Sequence, residues 1–305
     1  MPFVFLSKWV DFYKKMRYNL GMATVISKFN SMFDSFFYHH SVSEKKGKAT
    51  LYGPESHRQF EVIYLVKGEV KYFIEGEEYL AKPGDLIFVP PNEIHSLQID
   101  GKTSYERIVV LFDFNLIKNM LAVGEVAVDD AVFKAPPYRI IPAETVKKSG
   151  LRGIMYSIAA QDAGKGLPLR FFSLILSLIA ELDKLLADRG NKPILPITKE
   201  PMIKRAIEYI NDHLTEPISL DDIASELYVS KSTLCHRFSS CMNISINRYI
   251  AVKKVYFAAD LIRNGMSAQE ASLAVGYEHY TTFFYNYKQI LGVSPAAHKQ
   301  DQNNF

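Results

Sequence analysis

Between Tyr280 and Lys288 the chain sets Tyr280, Phe283, Phe284, Tyr285 and Tyr287 in one short helix-like run, with Thr281, Thr282 and Lys288 among them. A small helix buries only one face, so some of these rings must point outward, and outward aromatics usually touch something. Phe283 and Tyr287 lie four apart and make the inward pair. Phe284 and Tyr285 then project outward beside Tyr280, Thr281, Thr282 and Lys288. That set suits the major groove of double-stranded DNA. Threonine and aromatic side chains meet thymine methyls, hydroxyls reach base edges or phosphates, and lysine adds salt-dependent phosphate affinity. Packing against a neighbouring helix or another subunit is the alternative for Phe284 and Tyr285.

A second run, from Lys231 to Phe238, has the same build. Leu234 and Phe238 point inward, while Ser232, Cys235 and His236 share another face flanked by Lys231, Thr233 and Arg237. The two runs belong to an internal repeat. Ser219–Ala224 corresponds to Ser267–Ser272 at an offset of 48, and Leu234 and Phe238 correspond to Phe283 and Tyr287 at an offset of 49. The second turn is therefore one residue longer. Each copy opens with a serine followed three residues later by an acid, the start of a capping box. Two tandem helix–turn–helix units, about 219–239 and 267–290, are the simplest reading.

Charge agrees with this. Residues 229–300 carry eight lysines and arginines against three acids, a net +5, whereas 199–228 carry three against seven, a net −4. A locally basic segment in a chain of net charge only +3 is the footprint of a nucleic-acid face. Composition bounds the rest. With 305 residues, 48% apolar and 23% charged, the chain reads as two ordinary globular domains. Cys235 and Cys241 read as reduced thiols rather than a disulfide framework. No apolar run reaches the roughly 18 residues of a membrane span, and the start lacks a signal-peptide pattern, so a cytoplasmic protein without a membrane partner is expected.

From about Phe33 to Asp113 short β-type runs alternate with Lys67-Gly68, Glu75-Gly76 and Pro83-Gly84-Asp85 turns, the pattern of an all-β barrel or sandwich. Helical periodicity follows Ile141. Phe171, Ile175, Leu178, Leu182 and Leu185 fall at alternating steps of four and three, a seam that either dimerises or packs onto the barrel. "NKPILPITKEP" reads as a linker.

The stretches "SLDDIASELYVSKSTLCHRF", "YIAVKKVYFAADLI" and "AVGYEHYTTFFYNYKQILGVSP" resemble the AraC/XylS family of bacterial transcription regulators over about Met202 to Lys299. Val275-Gly276-Tyr277, Phe283, Tyr287-Lys288 and Gly292-x-Ser294-Pro295 match its most diagnostic stretch in order and spacing. The chain departs from the family where His236, Lys254 and Tyr285 replace common arginines, and where Ala271-Ser272 replaces an Ile-Ala pair. The resemblance implies a long helix joining the two units, contact with successive major-groove segments about one turn (~34 Å) apart, a homodimer, and action on RNA polymerase, most simply as an activator.

"ESHRQFEVIYLVKGEV" and "LAKPGDLIFVPPNEIHSLQI" resemble the two half-motifs of cupin sensor barrels. Strand alternation puts His57, Gln59 and Glu61 on one inward face, with Arg58 and Phe60 outward. A metal-binding barrel of this kind has a histidine where this chain has Glu55, so no metal and no cofactor is assigned. Instead His57, Gln59, Glu61, His95, Tyr105 and Arg107 are expected to bind a small-molecule effector, a carbohydrate or similar polar metabolite. His57, Glu61 and His95 with Glu55 would be the set for a divalent ion, and satisfied core histidines are the third option.

The expected fold is thus α+β in two domains. A cupin-like β-barrel with a helical dimerisation and linker segment precedes an all-α domain of two helix–turn–helix units. The expected boundaries are an arm at 1–30, the effector domain at 31–140, the dimerisation segment and linker at 141–198, and the DNA-binding domain at 199–305. A sequence-specific regulator is the leading reading, and no enzyme activity is expected. The alternatives are a metal-dependent cupin enzyme with an appended helical domain, and an interaction protein that has lost DNA specificity.

Overall fold

Period-two alternation in the first part of the chain folds into antiparallel strands: β1 (Ala23–Asn30), β2 (Phe36–Ser43), β3 (Thr50–Glu55), β4 (Phe60–Lys67), β5 (Val70–Ile74), β6 (Glu77–Ala81), β7 (Leu86–Val89), β8 (His95–Ile99), β9 (Tyr105–Phe112) and β10 (Ile140–Ile141). They make a sandwich of a six-stranded sheet, β1-β2-β9-β4-β7-β10, and a four-stranded sheet, β3-β8-β5-β6. This is a computed structural model, and it describes residues 23–30, 36–44, 47–114, 117–118, 131–134, 136, 138–161, 167–188, 194–197 and 200–300. The chain divides into two units, Met1–Thr198 and Lys199–Phe305.

The inner strands β9, β4 and β7 of the six-stranded sheet are buried on both faces, which explains why β4 and β9 read as near-continuous apolar runs. Ile63, Leu65, Val89, Val109 and Leu111 face the four-stranded sheet. Phe60, Val62, Phe88, Val110 and Phe112 face a helical layer. Phe60 therefore points away from the sandwich interior but not into solvent; it stacks on Phe88 and Phe112 at 5.7 and 5.5 Å. The β5–β6 hairpin turns at Glu75-Gly76, both at positive φ, as the tight twist of a two-residue hairpin requires.

The helical layer comprises α1 (Ala131–Lys134), α2 (Ala143–Lys148), α3 (Leu151–Ala159) and α4 (Leu167–Ala187). Here the seam reading is corrected. Phe171, Ile175, Leu178 and Leu182 are buried against the chain's own sheet, Leu185 packs partly buried beside them, and Phe171 meets Phe36 and Tyr38 at 6.2 and 5.8 Å. The Tyr38 hydroxyl donates to Gln161 O at 2.7 Å and the Tyr138 hydroxyl to Leu185 O at 2.6 Å, pinning the layer in place. The sheet needed a cover more than the helix needed a partner. The arm is corrected too: Ala23–Asn30 is a strand paired with β2, and 1–22 lie outside the described residues.

The second unit is helical: α5 (Pro201–Asp212), α6 (Leu220–Glu226), α7 (Lys231–Met242), α8 (Ile246–Arg263), α9 (Ala268–Ala274), α10 (Tyr280–Leu291) and α11 (Pro295–Gln300). The offsets between α6 and α9 and between α7 and α10 are 48 and 49, so the longer second turn is real. No helix among the described residues is long and apolar enough to cross a membrane.

Candidate nucleic-acid interface and ligand cavity

Reciprocal caps start both helix–turn–helix units. Ser219 Oγ accepts from the Asp222 N–H at 3.2 Å while the Ser219 N–H donates to Asp222 Oδ2 at 3.2 Å. Ser267 and Glu270 repeat this at 3.2 and 2.9 Å. Each cap satisfies backbone donors that a helix start otherwise leaves open. The outward helices then diverge. α7 is capped by Ser230, whose Oγ accepts from the Thr233 N–H at 3.1 Å, whereas His279 gives α10 no side-chain cap.

On α7, Leu234 and Phe238 are buried, with Phe238 edge-on to Tyr249 of α8 at 5.3 Å. Lys231, Ser232, Thr233, His236 and Arg237 are exposed and Cys235 is half-buried. Two of the cations are already engaged: Lys231 Nζ sits 2.9 Å from Asp221 and Arg237 Nη2 2.7 Å from Glu200. On α10, Phe283 and Tyr287 are fully buried and meet at 5.3 Å. Tyr280, Thr281, Thr282, Phe284, Tyr285 and Lys288 are exposed, Tyr285 by 67%.

Lys254 on α8 locks the two units together, a role the sequence did not reveal. It is buried, and Nζ donates to Glu216 O at 2.6 Å and Gly276 O at 3.4 Å beneath the Tyr277 ring at 5.8 Å. Burial pulls its pKa down to about 8. Gly276, at φ +68°, lies so close to Glu216 that a Cβ there would meet the Glu216 carbonyl at 2.4 Å. The turn of the second unit thus rests on the backbone that leads into the first.

In the sandwich, a cavity of about 40 Å³ is lined by Glu61, His95 and Arg107 of the expected effector set, together with His39, Glu55, Tyr72 and others. His57 touches this group through Glu61. His57 Nε2 and His95 Nε2 each lie 3.2 Å from Glu61 Oε2, and all three side chains are buried. Tyr105 is buried with its hydroxyl 3.0 Å from that of Tyr72, and Gln59 offers His57 its backbone carbonyl rather than a side chain to the cavity. His39 and Tyr72 were missed because each falls in an ordinary alternating strand, with nothing in the spacing to separate a cavity residue from a core one.

Burial works against charge on Glu61, but hydrogen bonds and charge from His57 and His95 outweigh it and hold its carboxyl well below the usual range. Burial also opposes protonation of His95, and Glu61 reverses this, leaving its pKa raised. Arg107 is buried, and its Nε has no hydrogen-bond partner among the described residues. The cavity is therefore polar, charged on both signs, and large enough for only a few waters.

Comparison with known proteins identifies both domains. A family model described as the AraC-like ligand binding domain matches residues 38–127, and one described as a helix-turn-helix domain matches 223–301. The HTH-type transcriptional regulator YfiF of Bacillus subtilis is 25% identical over 86% of this chain and 82% of its own. The Msm operon regulatory protein of Streptococcus mutans is 24% identical over 87% of this chain and 93% of its own. The arabinose operon regulatory protein of Salmonella typhimurium is 23% identical over 76% and 80%. Among solved structures, ToxT of Vibrio cholerae aligns over 89% of this chain and 99% of its own at 11% identity, with a TM-score of 0.37. With a ligand-binding sandwich in front and two capped helix–turn–helix units behind, the chain belongs to the AraC family of DNA-binding transcriptional regulators.

Proposed function

We propose that the chain is a cytoplasmic, effector-controlled activator that reads one DNA site through α7 and α10. Lys231, Ser232, Thr233, Cys235, His236 and Arg237 contact one major-groove segment. Tyr280, Thr281, Thr282, Phe284, Tyr285 and Lys288 contact the next. The observation that carries this reading is the pair of outward helices held in a fixed frame by Lys254 and Gly276, each spending its apolar face inward and its chemistry outward. The bound protein acts on RNA polymerase.

Glu61, His95 and Arg107, with His57 behind Glu61, hold a small polar effector, and Gln59 and Tyr105 support them from outside the cavity. A carbohydrate is in keeping with the relative named for the arabinose operon. A ligand pocket normally spans at least ~300 Å³, so a sugar enters only if the cavity wall opens. That opening is the simplest source of a signal, because it ties the ligand to one of two arrangements of the sandwich. Homodimerisation uses the outer face of α4, where Leu169 is 84% exposed and Leu176 follows seven residues on.

The test is binding of the purified chain to the duplex upstream of its own gene, against a random duplex, at two salt concentrations. Preferential binding that weakens steeply with salt is expected. Equal, weak binding to both duplexes, with and without candidate sugars, would overturn the reading.

A further inference from the structure

On the inner side of β9, Tyr105, Val109 and Leu111 pack between the two sheets. Arg107 is in phase with them, so a guanidinium stands where the alternation supplies an apolar side chain. It is 9% exposed and lines the cavity. Its ladder neighbours, Ser41 on β2 and Leu65 on β4, bring no charge. What it meets is aromatic: the Tyr105 ring at 5.6 Å, and Tyr72. No carboxylate among the described residues comes within ion-pair distance of it, and its Nε has no hydrogen-bond partner among them.

Two other arginines of this unit show the contrast. Arg58 and Arg139 are less buried, yet Arg58 lies 3.6 Å from Asp113 and Arg139 2.6 Å from Glu93. The acids of the cavity do not serve Arg107 in this way. Glu61 Oε2 is shared by two imidazoles at 3.2 Å each, and Glu55 lies opposite His95 in the β3–β8 ladder. An arginine does not shed its proton to escape burial. A buried charge without a counter-charge destabilises a fold, so folding alone gives no reason for a guanidinium here. A ligand that carries the missing anion does.

We propose that the effector is a small hydroxylated carboxylate, a sugar acid rather than a neutral sugar, whose carboxylate pairs with Arg107. The fork of a guanidinium matches the two oxygens of a carboxylate. The cavity of about 40 Å³ takes that group and little more, and the rest of the molecule needs the wall to open. A doubly charged phosphate is disfavoured because Glu61 and Glu55 line the same space. Those acids instead accept from the hydroxyls of the ligand. The inference rests on this cavity being the effector site, and it fixes the charge of the molecule that the site takes.

The experiment uses the smallest hydroxy acid as a probe. Saturation-transfer NMR titrations of the full-length chain at fixed ionic strength compare glycolate with glycolamide, and inorganic phosphate is added as a competitor. Glycolate should bind at least about tenfold more tightly than glycolamide, and phosphate should not displace it. Arg107→Met should lose glycolate binding and, relieved of an unpaired charge, melt no lower than the wild type. If that variant does not fold, Arg107→Lys, which keeps the charge but not the fork, should weaken glycolate at least about fivefold. Equal affinity for glycolate and glycolamide would overturn the carboxylate and leave the cavity to a neutral effector. Binding of neither probe would overturn both the carboxylate and the effector site. Displacement by phosphate would overturn the carboxylate in favour of a general anion site. Glycolate binding that persists in folded Arg107→Met would also overturn the proposal and place the anion elsewhere, on the basic faces of α7 and α10.

Discussion

Ser219 with Asp222 and Ser267 with Glu270 open the two helix–turn–helix units with the same cap, and Leu234 with Phe238 and Phe283 with Tyr287 close the same core. Beyond this shared frame the units part. The residue that turns the chain in the left-handed region is Tyr228 in the first unit, at φ +57°, and Gly276 in the second, at φ +68°. Tyr228 is 90% exposed and has room for its side chain, whereas Gly276 has the Glu216 backbone against it. The outward helices differ as much. α7 presents hydroxyls, an imidazole and two cations already paired to acids, while α10 presents three rings and one lysine. Folding constrains where a unit is capped and packed; it leaves the outward positions to binding.

The comparison breaks most visibly at the turns. Gly276→Ala forces a Cβ into the Glu216 carbonyl and a left-handed backbone on alanine, and should cost about 3 kcal/mol or more. Urea denaturation would measure this, and a loss below 1 kcal/mol would show that the turn can shift away. Lys254 comes next. Its pKa is about 8 in the fold and near 10.4 in an unfolded chain. Between these values the unfolded state binds more protons, so stability from this group rises with pH. Lys254→Met should flatten that rise by about 1–3 kcal/mol between pH 8 and pH 10. An unchanged slope would mean the ammonium is not desolvated.

The outward chemistries should separate in DNA binding. Tyr285→Ala is expected to weaken affinity by about 1–2 kcal/mol with the salt slope unchanged, because it removes apolar contact. Lys231→Ala should cost less, since Asp221 already neutralises part of its charge, and should lower the salt slope by about 1. Identical behaviour of the two variants in a salt titration would erase the distinction between the helices. The smallest effect is at the first turn. Tyr228→Gly relieves the left-handed strain of an L-residue but adds unfolded-state freedom, for a net gain of at most about 1 kcal/mol.

Much of this was legible in the chain. The serine–acid spacing marks both caps, and the four-residue spacing of Leu234/Phe238 and Phe283/Tyr287 fixes which faces turn inward. The seam on α4 was not legible as to its partner. Phe171, Ile175, Leu178 and Leu182 have the same periodicity whether they meet a second chain or a sheet, and only the aromatic face of Phe36 and Tyr38 decides it. The ligand cavity was half legible. Alternation along β4 turns Glu61 inward, but His57 and Gln59 fall in the β3–β4 connection rather than on the strand, and His95 comes from the other sheet, so the cluster, the volume and the wall residues His39 and Tyr72 depend on which strands become neighbours. Lys254 reads as one more basic residue of a DNA face, and its burial follows from a contact 38 residues away along the chain.

Hydroxyl-radical footprinting of the upstream duplex tests most directly whether the two units are two readers. Wild-type protein should protect two patches about ten base pairs apart on one face of the helix. Tyr285→Ala should fade one of them and leave the other. A single protected patch, or equal fading of both, would contradict a two-reader domain.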